Sequence, residues 1–389
     1  VDSPMNADGF IQAFVTEVRN IYQTQDFIPL HAPVFKGEEK KLVIQALEST
    51  FVSSVGKSVE EFEAAIARYT GARYAVAVSS GTAALHSALY AIGVERGHEV
   101  ITTPLTFVAT CNAVSYRGAK PVFVDVSPHS LGLSPQSLAE FLEQYAEVRD
   151  DGNCWNRSTE SIIRACVPVH NLGHPVQIEE IATICGQYNI MLVEDAAESL
   201  GSFSHAQHTG TIGRVGVLSF NGNKIITTGG GGALITDDES LAKKLKHLTT
   251  TAKQPHPWLF RHDEVGFNYR LPNLNAALGL AQLAQLDDFL QKKRRLARHY
   301  EQWLIEWPEF KFFMEPSGSQ SNYWLNAIIL ENRSERDKFL EYTNAQEVMT
   351  RAMWTPMHTL PMFSKCQRTS LEVAESIESR LVNIPSSVI

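Results

Sequence analysis

Between Arg73 and Thr236 the chain repeats one pattern. A short apolar run is followed by a turn of small or polar residues, and then by apolar residues at helical spacing. Residues 74–78, 100–103, 121–125, 162–169 and 190–193 read as strands. Residues 83–92, 107–116, 134–145 and 178–188 read as the helices between them. Strands separated by helical crossovers cannot form hairpins with their sequence neighbours. The alternation therefore predicts an α/β domain, a large and mostly parallel sheet with helices on both faces.

Around this block lie simpler stretches. Phe10, Ile11, Phe14, Val15, Val18, Ile21 and Tyr22 recur at helical spacing and predict an amphipathic first helix. Two further helices are expected over 37–49 and 59–69. The charged segment 147–160 reads as a surface excursion, and the polar stretch 249–271 as a cover over something. One long helix is expected over 274–303, with its first part (275–286) apolar on more than one side, as at a subunit contact. The remainder reads as a smaller α/β domain. The expected division is 1–26 (N-terminal helix, with Val1 to Pro4 a tag remnant), 27–272 (large domain) and 273–389 (long helix and small domain).

Composition excludes several classes. With 44% apolar residues a full core is available, yet no run approaches the ~18 apolar residues of a membrane span. A net charge of −9 argues against nucleic acid and anionic membranes as partners. Cys111, Cys154, Cys166, Cys185 and Cys366 are scattered without C-x-x-C spacing. That usage predicts a reduced, cytoplasmic protein without a zinc site or disulfide scaffold.

The chemistry concentrates between Leu192 and Ala233. Leu192-Val193-Glu194-Asp195 ends a strand in carboxylates, and Ser219-Phe220-Asn221-Gly222-Asn223-Lys224 precedes the glycine run Gly229 to Gly232. A carboxylate at a strand end, a lysine and a glycine run, in this order, suit pyridoxal 5′-phosphate. That cofactor needs an amine for its aldehyde, an anion for its ring nitrogen and donors for its phosphate. Lys224 is the candidate amine, and Asp195 the candidate partner of the ring nitrogen. Ser80, Gly81 and Thr82 stand where a strand hands over to a helix, so backbone N–H groups and the helix dipole would bind phosphate there. A plain helix cap explains Ser-Ser-Gly-Thr as well. Ser219 could add a hydroxyl, and Phe107 could stack on the pyridine ring.

These residues resemble the DegT/StrS-type nucleotide-sugar aminotransferases, a fold-type-I pyridoxal phosphate family. The resemblance runs from Phe27 to the C-terminus. It rests on Val-Ser-Ser-Gly-Thr-Ala-Ala-Leu (78–85), Thr-Phe-Val-Ala-Thr (106–110), Glu-Asp-Ala-Ala-Glu-Ser-Leu-Gly (194–201), Ser-Phe-Asn-Gly-Asn-Lys (219–224), Gly-Phe-Asn-Tyr-Arg-Leu (266–271) and Trp-Thr-Pro-Met-His (354–358). It implies that Lys224 carries the cofactor, Asp195 meets the ring nitrogen, Phe107 stacks, and Gly81, Thr82 and Ser219 hold the phosphate. It also implies that Asn268 reaches the phosphate in a neighbouring subunit, hence a homodimer with shared active sites.

Two positions depart from the family pattern. Glu198 stands where Gln or His is frequent beside the cofactor's phenolic oxygen. Two anions there would repel, so Glu198 should have a raised pKa, donate as a neutral acid, or turn away. Gly230 stands where many members have Glu, which should make the glycine run more mobile. The opening Phe-Ile-Pro-Leu-His-Ala-Pro-Val-Phe is similar to enzymes of the legionaminic-acid type. That similarity implies transfer from L-glutamate to C4 of a UDP-linked 4-keto-6-deoxy sugar, with His31, Arg270, Trp354 and His358 as candidate substrate contacts. A C3 aminotransferase on a dTDP- or UDP-3-keto sugar, another fold-type-I reaction such as β-elimination, and a non-enzymatic scaffold are the alternatives.

Overall fold

The computed structural model describes residues 7–389. The proposed tag remnant lies outside the described residues. The helices are α1 (Ala7–Tyr22), α2 (Glu39–Glu48), α3 (Lys57–Thr70), α4 (Gly81–Ala91), α5 (Ala109–Tyr116), α6 (Pro135–Tyr145), α7 (Ile178–Gln187), α8 (Glu239–Thr249), α9 (Asn273–Leu283), α10 (Leu286–Trp303), α11 (Arg333–Ala345) and α12 (Glu372–Arg380). The large sheet contains β1 (Tyr74–Val78), β2 (Glu99–Thr102), β3 (Lys120–Phe123), β4 (Ser161–Val167), β5 (Met191–Asp195), β6 (Val215–Ser219) and β7 (Gly232–Thr236). The small sheet contains β8 (Lys311–Phe312), β9 (Asn326–Ile329), β10 (Arg351–Ala352) and β11 (Leu381–Ile384).

The large sheet runs β1-β7-β6-β5-β4-β2-β3. Strands β6, β5, β4, β2 and β3 pair in parallel, as the alternation requires. Only β7 runs against its neighbours β1 and β6. It follows β6 through the lysine–glycine loop, with no helical crossover, and so returns antiparallel. The strands are apolar along their length because helices cover both faces. Val78, Val100, Val167, Val193 and Val217 pack with α4 and α8 residues in one core cluster. Ile101, Val122 and Cys166 pack with Leu138, Phe141 and Ile181 of α6 and α7 in another.

The small sheet is antiparallel in the order β8-β9-β11-β10. Helix α1 packs against this part of the molecule. Phe10 stacks on Phe310 with ring centroids 3.6 Å apart, in a cluster with Phe14, Leu296, Tyr300 and Phe339.

Several expectations need correction. Segment 147–160 is no simple excursion, because Ala146–Val148 and Cys154–Asn156 form a hairpin that pairs onto β4. Cys154 and Asn156 are buried while the residues around them stay polar, and this alternation was masked by the charges. The long helix is broken between Leu283 and Leu286. There the Gln285 amide donates both to the Glu39 carboxylate and to the Ala281 carbonyl, at 2.5 and 2.9 Å. Helix α9 packs against α2 and α3, and its Leu274, Leu278, Leu280 and Leu283 stay half-buried.

Candidate active site

The carboxyl ends of β1, β5 and β6 share one edge of the sheet, where open α/β sheets place their ligands. A cavity of about 480 Å³ opens there. Of the sequence candidates, Ser80, Gly81, Thr82, Phe107, Asp195, Glu198, Ser219, Lys224 and Trp354 line it.

Helix α4 points its N-terminus into this cavity. Ser80 caps it, its hydroxyl accepting from Ala83 N at 3.0 Å. Two glycines let the helix start pack closely against the ends of β6 and β7. A Cβ on Gly81 would lie 3.0 Å from Ser219 Cβ, and one on Gly232 only 2.6 Å from the Ser80 carbonyl carbon. The glycine run itself is tied down. Thr227 Oγ1 accepts from Gly229 N, Thr228 Oγ1 donates to the Gly230 carbonyl, and Asn275 donates to the Thr228 carbonyl.

Asp195 ends β5. Its Oδ2 accepts from Thr110 Oγ1 at 2.8 Å and its Oδ1 from Ala197 N at 3.2 Å. Thr110 also meets Thr106 Oγ1 at 2.8 Å. Burial pushes the Asp195 carboxyl above its ordinary range, and the Thr110 hydrogen bond and the Lys224 charge oppose this only in part. The preceding residue, Glu194, points to the other side of the strand. It accepts from His170 Nε2 at 2.9 Å and from Gly210, Ile212 and Gly213 N at 2.6–2.7 Å. Burial would raise this carboxyl, but the His170 hydrogen bond and the backbone donors hold it below its usual range.

Glu198 has not turned away. Its Oε2 accepts from Leu172 N at 2.8 Å, and its Oε1 lies 3.6 Å from Lys224 Nζ. Burial raises its pKa against the opposing charge of Lys224, the first of the outcomes expected for an acid here. Lys224 Nζ also sits 4.0 Å from the Trp324 ring centroid. Trp324 is held at both ends, with Nε1 donating to the Asn223 carbonyl at 2.7 Å and its own carbonyl accepting from Lys293 Nζ at 3.1 Å.

Phe107 precedes α5 instead of opening it, and it meets Trp354 edge-on at 5.6 Å between centroids. His31 lies one wall away, in a side chamber considered below. His358 is a correction. It lines neither space, because its Nε2 faces Glu375 Oε1 at 3.1 Å on the far side of the loop. Asn268 and Arg270 also stay outside their own chain's cavity. Asn268 is exposed and bridges to Thr250, and Arg270 bridges to Val78. Sequence reasoning missed Thr110, Trp324, Asn223 and Arg351, all of which line the cavity. Thr110 and Asn223 lay within quoted motifs, while Trp324 and Arg351 carry no local signature.

The donor set fits pyridoxal phosphate on structural grounds. A lysine amine, a buried carboxylate and an anion-binding helix start cradled by glycines face one space of suitable size. Together with the sheet topology they define a fold-type-I pyridoxal phosphate aminotransferase.

A family model for the DegT/DnrJ/EryC1/StrS aminotransferase family matches residues 33–388. The chain belongs to that family, and pyridoxal 5′-phosphate is its cofactor. It is 34% identical to GDP-perosamine synthase of Escherichia coli O157:H7, over 92% of this chain and 93% of that one. Among solved structures it is similar to the aminotransferase TlmJ from Streptoalloteichus hindustanus (28% identity, TM-score 0.83, 92% and 93% of the two chains). It is also similar to DesI in the presence of its TDP-sugar product (26% identity, TM-score 0.80, 93% and 88%). The protein is a pyridoxal phosphate-dependent sugar aminotransferase.

Proposed function

We propose that this aminotransferase moves the amino group of L-glutamate to C4 of a nucleotide-linked 4-keto-6-deoxy sugar, giving a 4-amino-4,6-dideoxy sugar. The proposed acceptor is UDP-4-keto-6-deoxy-N-acetylglucosamine. The observation that carries the reading is the convergence of Lys224, Asp195 and the start of α4 on one cavity. The relatives named for GDP-perosamine and a TDP-sugar support a nucleotide sugar as the acceptor class.

When bound, pyridoxal phosphate supplies a sink for the electron pair released as a C–H bond breaks. Asp195 would hold the proton on the ring nitrogen, and Thr110 fixes the carboxylate that does so. The first N–H groups of α4, with Thr82 and Ser219, would hold the phosphate, and Phe107 would cover the ring. Lys224 Nζ would take the α-proton of bound glutamate and, once the keto sugar has replaced the donor, would deliver a proton to C4 of the sugar. Glu198 stands 3.6 Å from that amine and holds it by charge. Trp324 limits the directions in which the amine can move.

The reading includes a homodimer in which Asn268 and Arg270 serve the partner's site. Both follow a loop with Trp258, Phe260 and Val265 each more than three-quarters exposed, as an uncovered contact surface would be. Incubating the holoenzyme with L-glutamate and UDP-, GDP- or dTDP-linked 3- and 4-keto sugars, with NMR of the products, tests the function. An amine at C4 of the UDP sugar is expected. An amine at C3, or breakdown of an amino acid with no sugar present, overturns it.

A further inference from the structure

Beside the main cavity lies a side chamber of about 90 Å³. Asn223, Trp324, Arg351 and Trp354 line both spaces, and His31 and Asn383 line the chamber alone. We propose that this chamber, with Arg351 at its mouth, seats the distal carboxylate of the amino donor. The proposal rests on the glutamate-dependent reading above and names the group that selects the donor.

The chamber holds polar atoms that the protein leaves without partners. His31 Nδ1 and Nε2, Trp354 Nε1 and Asn383 Oδ1 are buried and make no hydrogen bond. Asn383 is only 3% exposed, and its amide nitrogen gives one of its two N–H groups to the Ala352 carbonyl at 3.3 Å. Each such group costs roughly 1–3 kcal/mol when left unpaired, so a site with several of them is built for a ligand. Its chemistry is that of an anion seat. No acidic residue lines the chamber, in contrast to the main cavity with its Asp195 and Glu198. The Arg351 guanidinium meets no carboxylate among the described residues, and it is exposed at the rim where a fork of donors can turn inward.

His31 is a neutral donor here. Burial, followed by the positive charge of Lys293, holds its imidazole well below its usual range, and the nearby Asn223 backbone opposes this without meeting it in a hydrogen bond. Size decides between parts of the substrates. A volume of about 90 Å³ corresponds to roughly three waters. That admits a carboxyethyl arm and excludes a pyranose or a nucleotide.

The test uses holoenzyme with Arg351→Gln, and Arg351→Lys as the conservative variant. Calorimetric titration with glutarate should show Kd weakened about 10- to 100-fold in Arg351→Gln, the worth of a charge-assisted hydrogen bond, and less in Arg351→Lys. Single-turnover absorbance changes with L-glutamate and L-norvaline, which carries a methyl group in place of the distal carboxylate, should show the preference for glutamate collapsing by a similar factor. Unchanged glutarate affinity, or equal losses for glutamate and norvaline, would overturn the assignment. A wild-type enzyme that consumes no glutamate would instead defeat the proposed function, and the glutarate titration would still decide the seat.

Discussion

The two ends of the catalytic space are finished differently. At the β5 end each carboxylate oxygen that faces the cavity has a partner: Asp195 accepts two hydrogen bonds, and Glu198 one beside the ion pair to Lys224. At the β10 end, in the side chamber, His31, Trp354 and Asn383 carry buried polar atoms with none. Unpaired groups of this kind are costly, so their concentration at one end has physical meaning. The carboxylates at the β5 end are paired before any ligand arrives and can hold a permanent cofactor in fixed geometry. The β10 end is completed only when something binds and leaves again. Cofactor and substrate are thus separated by how far the protein satisfies itself.

The sharpest way to break this contrast is at its meeting point. Lys224→Ala should lower amination at least about 10⁴-fold, since acid–base and nucleophilic roles are lost together. Circular dichroism should show the fold unchanged, because among the described residues Nζ is paired only with Glu198 and the Trp324 ring. Retained turnover would move the chemistry to another residue. Mixing Lys224→Ala with Asn268→Ala protein should then restore activity, provided that sites are shared between subunits.

The next test falls on the completed end. Glu194→Ala would leave His170 and three backbone N–H groups unpaired in a dry interior. A loss of about 3–5 kcal/mol in urea unfolding is expected. The Glu194 carboxyl sits below its ordinary value of 4.5 in the folded protein. Its contribution is therefore present above that pH and is lost as pH falls through the lowered folded value. The variant should show a shallower acid limb than wild type, and an identical limb would assign the acid sensitivity elsewhere.

How much of this was readable beforehand depends on the range over which each feature is encoded. Lys224, Asp195, Ser219 and the Ser80–Thr82 turn sit at strand ends, and the strand–helix rhythm alone carries them to one edge of the sheet. Trp324 and Arg351 reach the same cavity from the small domain, and no local pattern marks them. Glu194 read as a companion of Asp195, yet strand alternation sends it into an unrelated network. His358 was misplaced because its quoted motif also contains Trp354, which does line the cavity. The 3-10 turn Met357–Thr359 separates the two. The hairpin inside 147–160 was hidden by charged residues on its exposed face, and the break before α10 by a glutamine whose partner, Glu39, lies far away in sequence.

Glu198→Gln gives a smaller effect of opposite sign. Burial, outweighing the Lys224 charge, raises this carboxyl above 4.5 in the folded protein. Ionised Glu198 therefore costs stability. The cost is absent below the unfolded value and grows as pH rises through the folded one. In cofactor-free protein the variant should gain thermal stability over wild type as pH is raised, with no gain near pH 4. A gain independent of pH would show that packing, and not charge, sets the difference.

The smallest expected change is the most discriminating for the comparison. Arg351 is exposed and makes no side-chain hydrogen bond or ion pair among the described residues, so Arg351→Gln should alter ligand-free stability by no more than about 0.5 kcal/mol. Glu194→Ala is predicted to cost several times that, because its buried carboxylate accepts four hydrogen bonds. The difference should close when glutarate is added: wild type then gains stability by mass action, and Arg351→Gln gains less. If Arg351→Gln is already unstable without ligand, the β10 end is held together by its own contacts, and the division between a finished cofactor side and an unfinished substrate side fails there.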